Sequence, residues 1–460
     1  MWNSVLRRYA GPLAGVILLV PLLPSLSAQQ PTASPADEMA ELRDQIRQLD
    51  QKLRALEAAA SPSPSTSPAA AQPSVAVDRR GLVVESADKA FNFRIRPRVQ
   101  VDGRVFPDES DGPSELTLRR VRPVFQGQAG PAAWRFMPEL AGSVRIIDAW
   151  VDLAIGTDTF VRAGKVKTAV GYERLQSFSQ TLFIERGLPS VLTATRDIGV
   201  QVHGRRGAVT WQAGVSNGSL DDTDQSLNAD LSGDDYEADA RVFVEPFKSD
   251  PASRLAGLGF GFAGSIGTES TTILDGDRDR RIVYRTSGRN AFFRYNDGVA
   301  VDGTHVRLNP HASFYRGPWG LLAEWVRSRY ELARADNHAA VNSDAWTIQA
   351  GWVVTGEKAG YAGMRPRRPF AIGQAGWGAL ELAIRHHTLK VGDEAFRGPA
   401  ATRLARSTAT QRAEASAIGA NWYLTDNLLL AANVETTRFT GLGARRDTED
   451  AILTRLQIDF

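Results

Sequence analysis

The chain has 460 residues, with 54 lysine and arginine side chains against 52 aspartate and glutamate, a formal net charge of +2 and no cysteine. Near balance of charge excludes a global field drawing the protein to nucleic acid or anionic lipid, and the missing cysteine excludes disulfides, thiol catalysis and thiolate-bound metal. A mean hydropathy of −0.25 is too polar for a helical membrane protein, while 43% hydrophobic residues are too many for a disordered chain, so most of the sequence folds.

The first 28 residues read as a secretory signal. Arg7 and Arg8 precede an apolar run from Ala10 to Leu23, followed by Ser25, Ser27 and Ala28, which is the order of charged, apolar and small residues around a cleavage site. The run is interrupted by Pro12 and Pro21 and falls short of the roughly 20 residues of a spanning helix. Residues 29–60 follow. There Met39, Leu42, Ile46, Leu49, Leu53 and Leu56 alternate at spacings of three and four, the seam of a short coiled coil that would self-associate or contact periplasmic components; a lone amphipathic helix is the alternative. Residues 61–80 open with a Ser/Pro/Ala tract that reads as an extended linker.

From 81 to 460 the period changes to two. Phe91, Phe93, Ile95, Pro97, Val99 and Val101 share one face of a strand, and Asn92, Arg94, Arg96, Arg98, Gln100 and Asp102 the other. Ile147, Ala149, Val151, Leu153 and Ile155 alternate with Asp148, Trp150 and Asp152; Ile452, Leu456, Ile458 and Phe460 alternate with Leu453, Arg455, Gln457 and Asp459. With no later apolar run of spanning length, such dyads fit an antiparallel β-barrel crossing a membrane. A soluble antiparallel sheet gives the same alternation with its faces exchanged. Trp319, Trp325, Trp346, Trp352 and the pair Trp422 and Tyr423 fall near strand ends, where interfacial girdles sit. Roughly 380 residues at about 24 per strand and connection give about 16 strands around an aqueous lumen. The fold expected is all-β, a transmembrane antiparallel barrel preceded by a short coiled-coil helix.

Several segments, in order, resemble the phosphate-selective porin O and P family: FNFRIRPRVQVDGRVF from Phe91, LRRVRPVFQG from Leu118, RIIDAWVDL from Arg145, VRAGKVKTAVGYE from Val161, FIERGLP from Phe183, WTIQAGWVVTGE from Trp346, GANWYLTDNLLLAANVE from Gly419 and RLQIDF from Arg455. A C-terminal Phe closing an alternating strand also resembles the assembly signal of outer-membrane barrels. The resemblance implies a homotrimer of 16-stranded barrels in the outer membrane of a Gram-negative bacterium, with an arginine ladder leading anions to a constriction built by an inward-folded loop. Matched motif by motif, Arg98, Arg119 and Arg120 fall on the ladder, Asp148 on the acidic residue of the constriction, Ser177 on a serine ligand and Arg186 on the constriction-loop arginine. Arg174 stands where the family has its central lysine. Arg122 and Lys167 stand where known types have aromatic or acidic groups. The basic cluster Arg278, Arg280, Arg281, Arg285 and Arg289 resembles the second run of the ladder loosely. These departures leave anion preference better supported than phosphate specificity.

The residues argue for anions independently. Arg94, Arg96 and Arg98 project from one face about 7 Å apart, and a midplane arginine facing lipid would cost roughly 2 to 4 kcal/mol, so that face belongs to the lumen. A guanidinium grips phosphate in a two-pronged fork and stays charged; several moderate sites in series let an ion enter and leave. The competing reading is that lumenal arginines only pair with lumenal acids. Asp221, Asp222, Asp224, Asp230, Asp234 and Asp235 read as a solvated extracellular loop.

Catalytic and metal readings are poor. DGDRDRR at Asp275 opens like a calcium loop but has Arg280 in place of glycine and Thr286 in place of the bidentate glutamate. His386 and His387 are adjacent and on a strand face opposite ways. No enzyme activity, cofactor or metal is expected. The function expected is passive, anion-selective passage across the outer membrane, with inorganic phosphate, pyrophosphate, polyphosphate or other small anions as the permeating partners, and outer-membrane lipid around the barrel. The alternatives are a porin for neutral solutes and a non-transporting exported β-protein tethered by its coiled coil.

Overall fold

The computed structural model describes residues 35–60, 72–223, 235–273 and 281–460. The signal segment, most of the Ser/Pro/Ala tract, Asp224, Asp230, Asp234, Arg278 and Arg280 lie outside the described residues. The chain divides into two units, 1–70 and 71–460.

In the first unit a helix spans Pro35–Ala60. Asp44 with Arg47 and Asp50 with Arg54 pair along its surface, and its seam from Met39 to Leu56 stays 57 to 68% exposed. No helix among the described residues is long and apolar enough to cross a membrane.

The second unit opens with a hairpin, β1 (Ser74–Asp78) and β2 (Gly81–Glu85). The linker reading therefore gives way to a strand at Ser74. Composition misplaced this boundary because Val75 and Val77 follow a proline-rich tract, yet pair through the backbone with Val84 and Leu82. The barrel follows. Its first nine strands are β3 (Phe91–Val105), β4 (Glu115–Ala129), β5 (Ala132–Glu139), β6 (Arg145–Gly156), β7 (Thr159–Val166), β8 (Asp197–Arg206), β9 (Val209–Ser216), β10 (Tyr236–Val244) and β11 (Leu258–Thr272). A small hairpin, β12 (Val283–Arg285) with β13 (Ala291–Arg294), interrupts the series. The last seven are β14 (Ala300–Arg316), β15 (Trp319–Arg334), β16 (Asn337–Val353), β17 (Ala379–Val391), β18 (Thr410–Tyr423), β19 (Leu428–Gly443) and β20 (Glu449–Asp459). Each pairs antiparallel with its neighbour, and β20 closes on β3 with Leu456 opposite Val101 and Asp459 opposite Arg98. The result is a closed barrel of 16 strands, which leaves no edge unpaired. The end bearing Phe91 and Phe460 is called here the terminal rim.

Outward positions form an apolar belt. Val151, Leu153, Ile155, Val200, Val215, Phe260, Phe262, Ile384 and Ile418 are 44% or more exposed, alternating with buried polar residues such as Asp152, Gln201 and Ser265. Trp319 stacks on Trp352 and Trp377 on Trp422 along the terminal rim. Tyr423 departs from the expected girdle: as the neighbour of outward Trp422 it points inward and donates to Glu381 at 3.0 Å. Ile147 departs as well. A register shift between Met137 and Pro138 inserts an extra residue, so Ile147 and Asp148 both face the interior, 2% and 5% exposed.

The interior is divided. On the β15 to β17 side an apolar core fills the bore, where Tyr284, Phe292, Phe293 and Tyr295 of the β12–β13 hairpin pack with Val326, Tyr330, Val341, Ala345 and Leu389 of the wall. There the faces exchange, and the outward side carries the pair Arg327 and Asp344 at 2.8 Å. The β3 to β8 side is polar and open.

Candidate functional site

The loop between β7 and β8, residues 167–196, folds into the bore. A buried loop must hand every N–H to an acceptor, and the wall supplies them. Glu324 accepts the N–H groups of Tyr172 at 2.7 Å and Glu173 at 3.3 Å. Asn309 accepts from Gly171 at 3.1 Å, Asn433 from Ile184 at 2.7 Å and His387 from Leu188 at 3.0 Å. Gly171 sits at φ +99°, where an added Cβ would lie 2.8 Å from that of Arg174, so only glycine turns the chain here without strain. Tyr172 stacks on His311 and on Tyr361, with ring centroids 4.5 and 4.7 Å away. Tyr361 comes from the long 354–378 connection at the terminal rim.

What the loop leaves open is a chain of three cavities. The first, opposite the terminal rim, is lined by Arg119, Arg120, Arg145, Arg174, Arg186, Arg281, Arg285 and Arg289 with Glu185, Asp221 and Asp222. The second, of about 470 Å³, is lined by Arg96, Arg98, Arg135, Arg162, Lys167, Asp148 and Ser177. Arg122, Phe178 and Arg196 line both and mark the throat between them. Arg96 and Gln180 also line the third, which opens at the terminal rim beside Arg79, Arg80, Asp459 and Phe460.

Two neighbouring arginines reach the interior because β4 bulges: Gln100 pairs with Arg120 and Val101 with Leu118, which leaves Arg119 unpaired in the ladder. Arg119 meets Glu185 at 3.0 Å. Burial raises the Glu185 carboxyl, but Arg119 and Arg120 outweigh it and hold it well below the usual carboxylate range. Arg120 bonds the amide oxygen of Gln100 at 2.7 Å and lies 3.7 Å over the Phe178 ring, while Arg186 lies 3.4 Å over the same ring and donates to the carbonyls of Glu173 and Gln176. Lys167 donates to the carbonyls of Leu175 and Gln176 at 2.8 and 2.9 Å; burial, then Arg196 and Arg186, push its pKa down. Among the described residues no carboxylate bonds any of these three cations.

Other site residues are engaged with acids. Arg122 meets Glu139 at 2.8 Å, Arg98 meets Asp459 at 3.0 Å, and Asp148 takes Arg196 at 3.0 Å and Arg135 at 3.8 Å. Arg174 bonds Thr193 at 3.2 Å, Asp222 at 2.9 Å and the Ser190 carbonyl, so it braces the loop as well as lining the first cavity. Ser177 pairs with Ser179 at 3.0 Å. Arg285 donates to the carbonyl of Arg289 at 3.1 Å, and Arg281 lines the first cavity. The structure thus brings together Arg98, Arg119, Arg120, Arg122, Asp148, Lys167, Arg174, Ser177, Arg186, Arg281 and Arg285 along one path.

Asp221 and Asp222 correct the reading of a solvated acidic loop. Asp221 is fully buried, held by Arg307 at 3.0 Å and Tyr284 at 3.1 Å, because a buried arginine offsets the cost of burying its charge. Sequence reasoning also missed Arg196, Phe178, Glu185 and Glu139. The first three lie in the irregular loop, where no period assigns a face, and Glu139 ends β5 just past the register shift against β6.

A closed 16-stranded barrel with an apolar belt outside and a charged bore narrowed by an infolded loop defines an outer-membrane porin. The family description "Phosphate-selective porin O and P" matches residues 93–460, and the chain belongs to that family. A protein of Caulobacter vibrioides described as uncharacterized is 23% identical over 426 residues, 82% of each chain. Among solved structures, outer-membrane expressed OmpT of Vibrio cholerae superposes with a TM-score of 0.52 at 9% identity, covering 81% of this chain and 98% of that one; the trimer form of in-vitro folded OmpT gives 0.52 at 9% identity, covering 81% and 100%. These likenesses show the fold.

Proposed function

We propose that the protein is a passive, anion-selective channel for phosphate, pyrophosphate or short polyphosphate. The observation that carries this lies on either side of the throat, where Arg120, Arg186 and Lys167 are bound by neutral amide, carbonyl and ring groups and by no carboxylate among the described residues. Low-dielectric walls focus such a field along the bore. Arginines on both sides of the throat offer successive two-pronged contacts, so an anion is passed on without being trapped. The terminal rim faces the periplasm in this reading; the Pro35–Ala60 helix offers its exposed seam to further copies or to periplasmic components, and the barrel works as a trimer, as the OmpT trimer form does.

The test is single-channel recording in KCl with phosphate or pyrophosphate added. Concentration-dependent block of the chloride current supports the reading; an unchanged current at every concentration supports a porin for neutral solutes instead.

A further inference from the structure

We infer that the loop 367–377 at the terminal rim is a lipid-binding element, which inserts Ile372 into the periplasmic leaflet of the outer membrane and holds anionic phospholipid head groups with Arg367 and Arg368. The choice of leaflet rests on the orientation given above, while the loop's chemistry is independent of what the bore conducts.

Turns at the periplasmic end of such barrels are ordinarily short, and the 354–378 connection is long enough to build a hairpin of its own. The N–H of Gly378 closes its stem on the carbonyl of Arg368 at 2.9 Å, and the N–H of Phe370 ties it to the carbonyl of Leu424 at 2.6 Å. Gly376 leaves no room for a side chain, since an added Cβ would lie 1.9 Å from the carbonyl oxygen of Pro369. The tip turns with Gly373 at φ +77°, and the N–H of Gln374 reaches the carbonyl of Ala371 at 3.1 Å. A tip so held cannot fold its apolar residues away. Ile372 is 93% exposed, the highest value of any large hydrophobic side chain among the described residues, with Trp377 at 52% and Phe370 at 37%. Leaving that surface in water forgoes the gain of burying it.

The tip lies on the outer side of the wall. Phe370 meets Trp422 edge-on at 5.9 Å and Trp377 stacks on it at 5.2 Å, and Trp422 Nε1 donates to the carbonyl of Trp377 at 2.8 Å. Along the rim Trp422 pairs with Leu380, and Leu382 pairs with Trp352, itself opposite Trp319. The aromatic row that marks a membrane interface therefore runs into the loop.

Charge completes the match. From Ala359 to Leu380 the sequence carries Arg365, Arg367 and Arg368 and no acidic residue. Arg365 turns to the third cavity, whereas Arg367 and Arg368 are exposed beside the tip. The nearby Glu357 is buried and taken up by the backbone N–H of Arg367 at 3.3 Å, and the Arg367 guanidinium donates to the carbonyl of Gly356 at 2.8 Å. Arginines at such a depth lay their stems along apolar surface and raise their heads to phosphate, and anionic lipid strengthens the attraction.

The chain has no cysteine, so Ile372→Cys in the full-length protein carries an environment-sensitive dye at one place. Ala252→Cys, exposed in the 245–257 connection on the same rim, is the reference. Both are reconstituted into vesicles of phosphatidylcholine alone or with phosphatidylglycerol added. Neither position faces the bore, so unchanged chloride conductance certifies the folded barrel. The dye at 372 is expected to be several-fold brighter than at 252 and to be quenched by doxyl-labelled phosphatidylcholine, more so with phosphatidylglycerol present. Arg367→Gln with Arg368→Gln is expected to abolish the gain from phosphatidylglycerol. A dye at 372 as dim and as unquenched as at 252 overturns the inference. So does one that is bright but untouched by doxyl lipid, which marks burial against a second copy. Insertion of equal depth with and without phosphatidylglycerol overturns the head-group assignment. Labelling of Ala252→Cys in intact cells by a bulky membrane-impermeant maleimide would overturn the orientation and the choice of leaflet with it, a failure read apart from the vesicle result.

Discussion

The hydroxyl of Tyr361 donates to the carbonyl oxygen of Tyr172 at 2.6 Å. The infolded loop is thereby held from the terminal rim as well as from the wall, since Gln176 in turn donates to the carbonyl of Tyr361 at 2.7 Å. Tyr361→Phe should cost about 1 kcal/mol, one hydrogen bond, with the stacking kept. Tyr361→Ala removes both. Open-channel noise and conductance should rise clearly in the alanine variant and little in the phenylalanine one; equal traces would show that the contact does not steady the throat.

Glu324 anchors the loop through two of its backbone N–H groups. In Glu324→Ala the N–H groups of Tyr172 and Glu173 lose their acceptor, at roughly 1 to 3 kcal/mol for each buried donor left bare. Thermal unfolding in detergent should move to lower temperature, and Glu324→Gln, which keeps one carbonyl oxygen, should fall between.

Arg120 sets field strength without bracing a carboxylate. Taking about 8 Å to the axis and a water-like dielectric, one charge is worth roughly 0.5 kcal/mol to a passing ion, of opposite sign for anion and cation. Arg120→Gln should therefore lower the chloride to potassium permeability ratio about twofold to fivefold. Arg174→Gln, whose charge is met by Asp222, should lower it less.

Alkaline pH should weaken selectivity early. Lys167 is neutral above its pKa, and burial with Arg196 and Arg186 nearby pulls that pKa below the ordinary 10.5; raising pH thus removes a throat charge before a free lysine would lose it. The permeability ratio should drop with rising pH in the natural protein and hold level in Lys167→Arg. A parallel drop in both would place the titrating group elsewhere.

How much of this was legible in the residues follows from what fixes a side chain's direction. On β3 and β20 the period of two is unbroken around Arg94 to Gln100 and Ile452 to Ile458, and a lipid-facing wall admits one register only. The strand number was legible from length instead, since roughly 380 residues at about 24 per strand and connection give about 16. Period fails where it is broken: Arg119 and Arg120 both turn inward only through a bulge, and only the family resemblance had paired them. It misleads where the environment reverses, as for Val326 and Tyr330, apolar but inward because a hairpin packs on them. Arg196 and Phe178 had no signal, since an irregular loop carries no period, and their place depends on wall acceptors more than a hundred residues away in sequence.

The most direct measurement is the zero-current potential of the reconstituted protein across a bilayer with a KCl gradient. The account predicts a potential displaced toward the chloride equilibrium value, and displaced less in the triple variant Arg120→Gln, Lys167→Gln, Arg186→Gln. A potential lying toward the potassium value in the natural protein would contradict it.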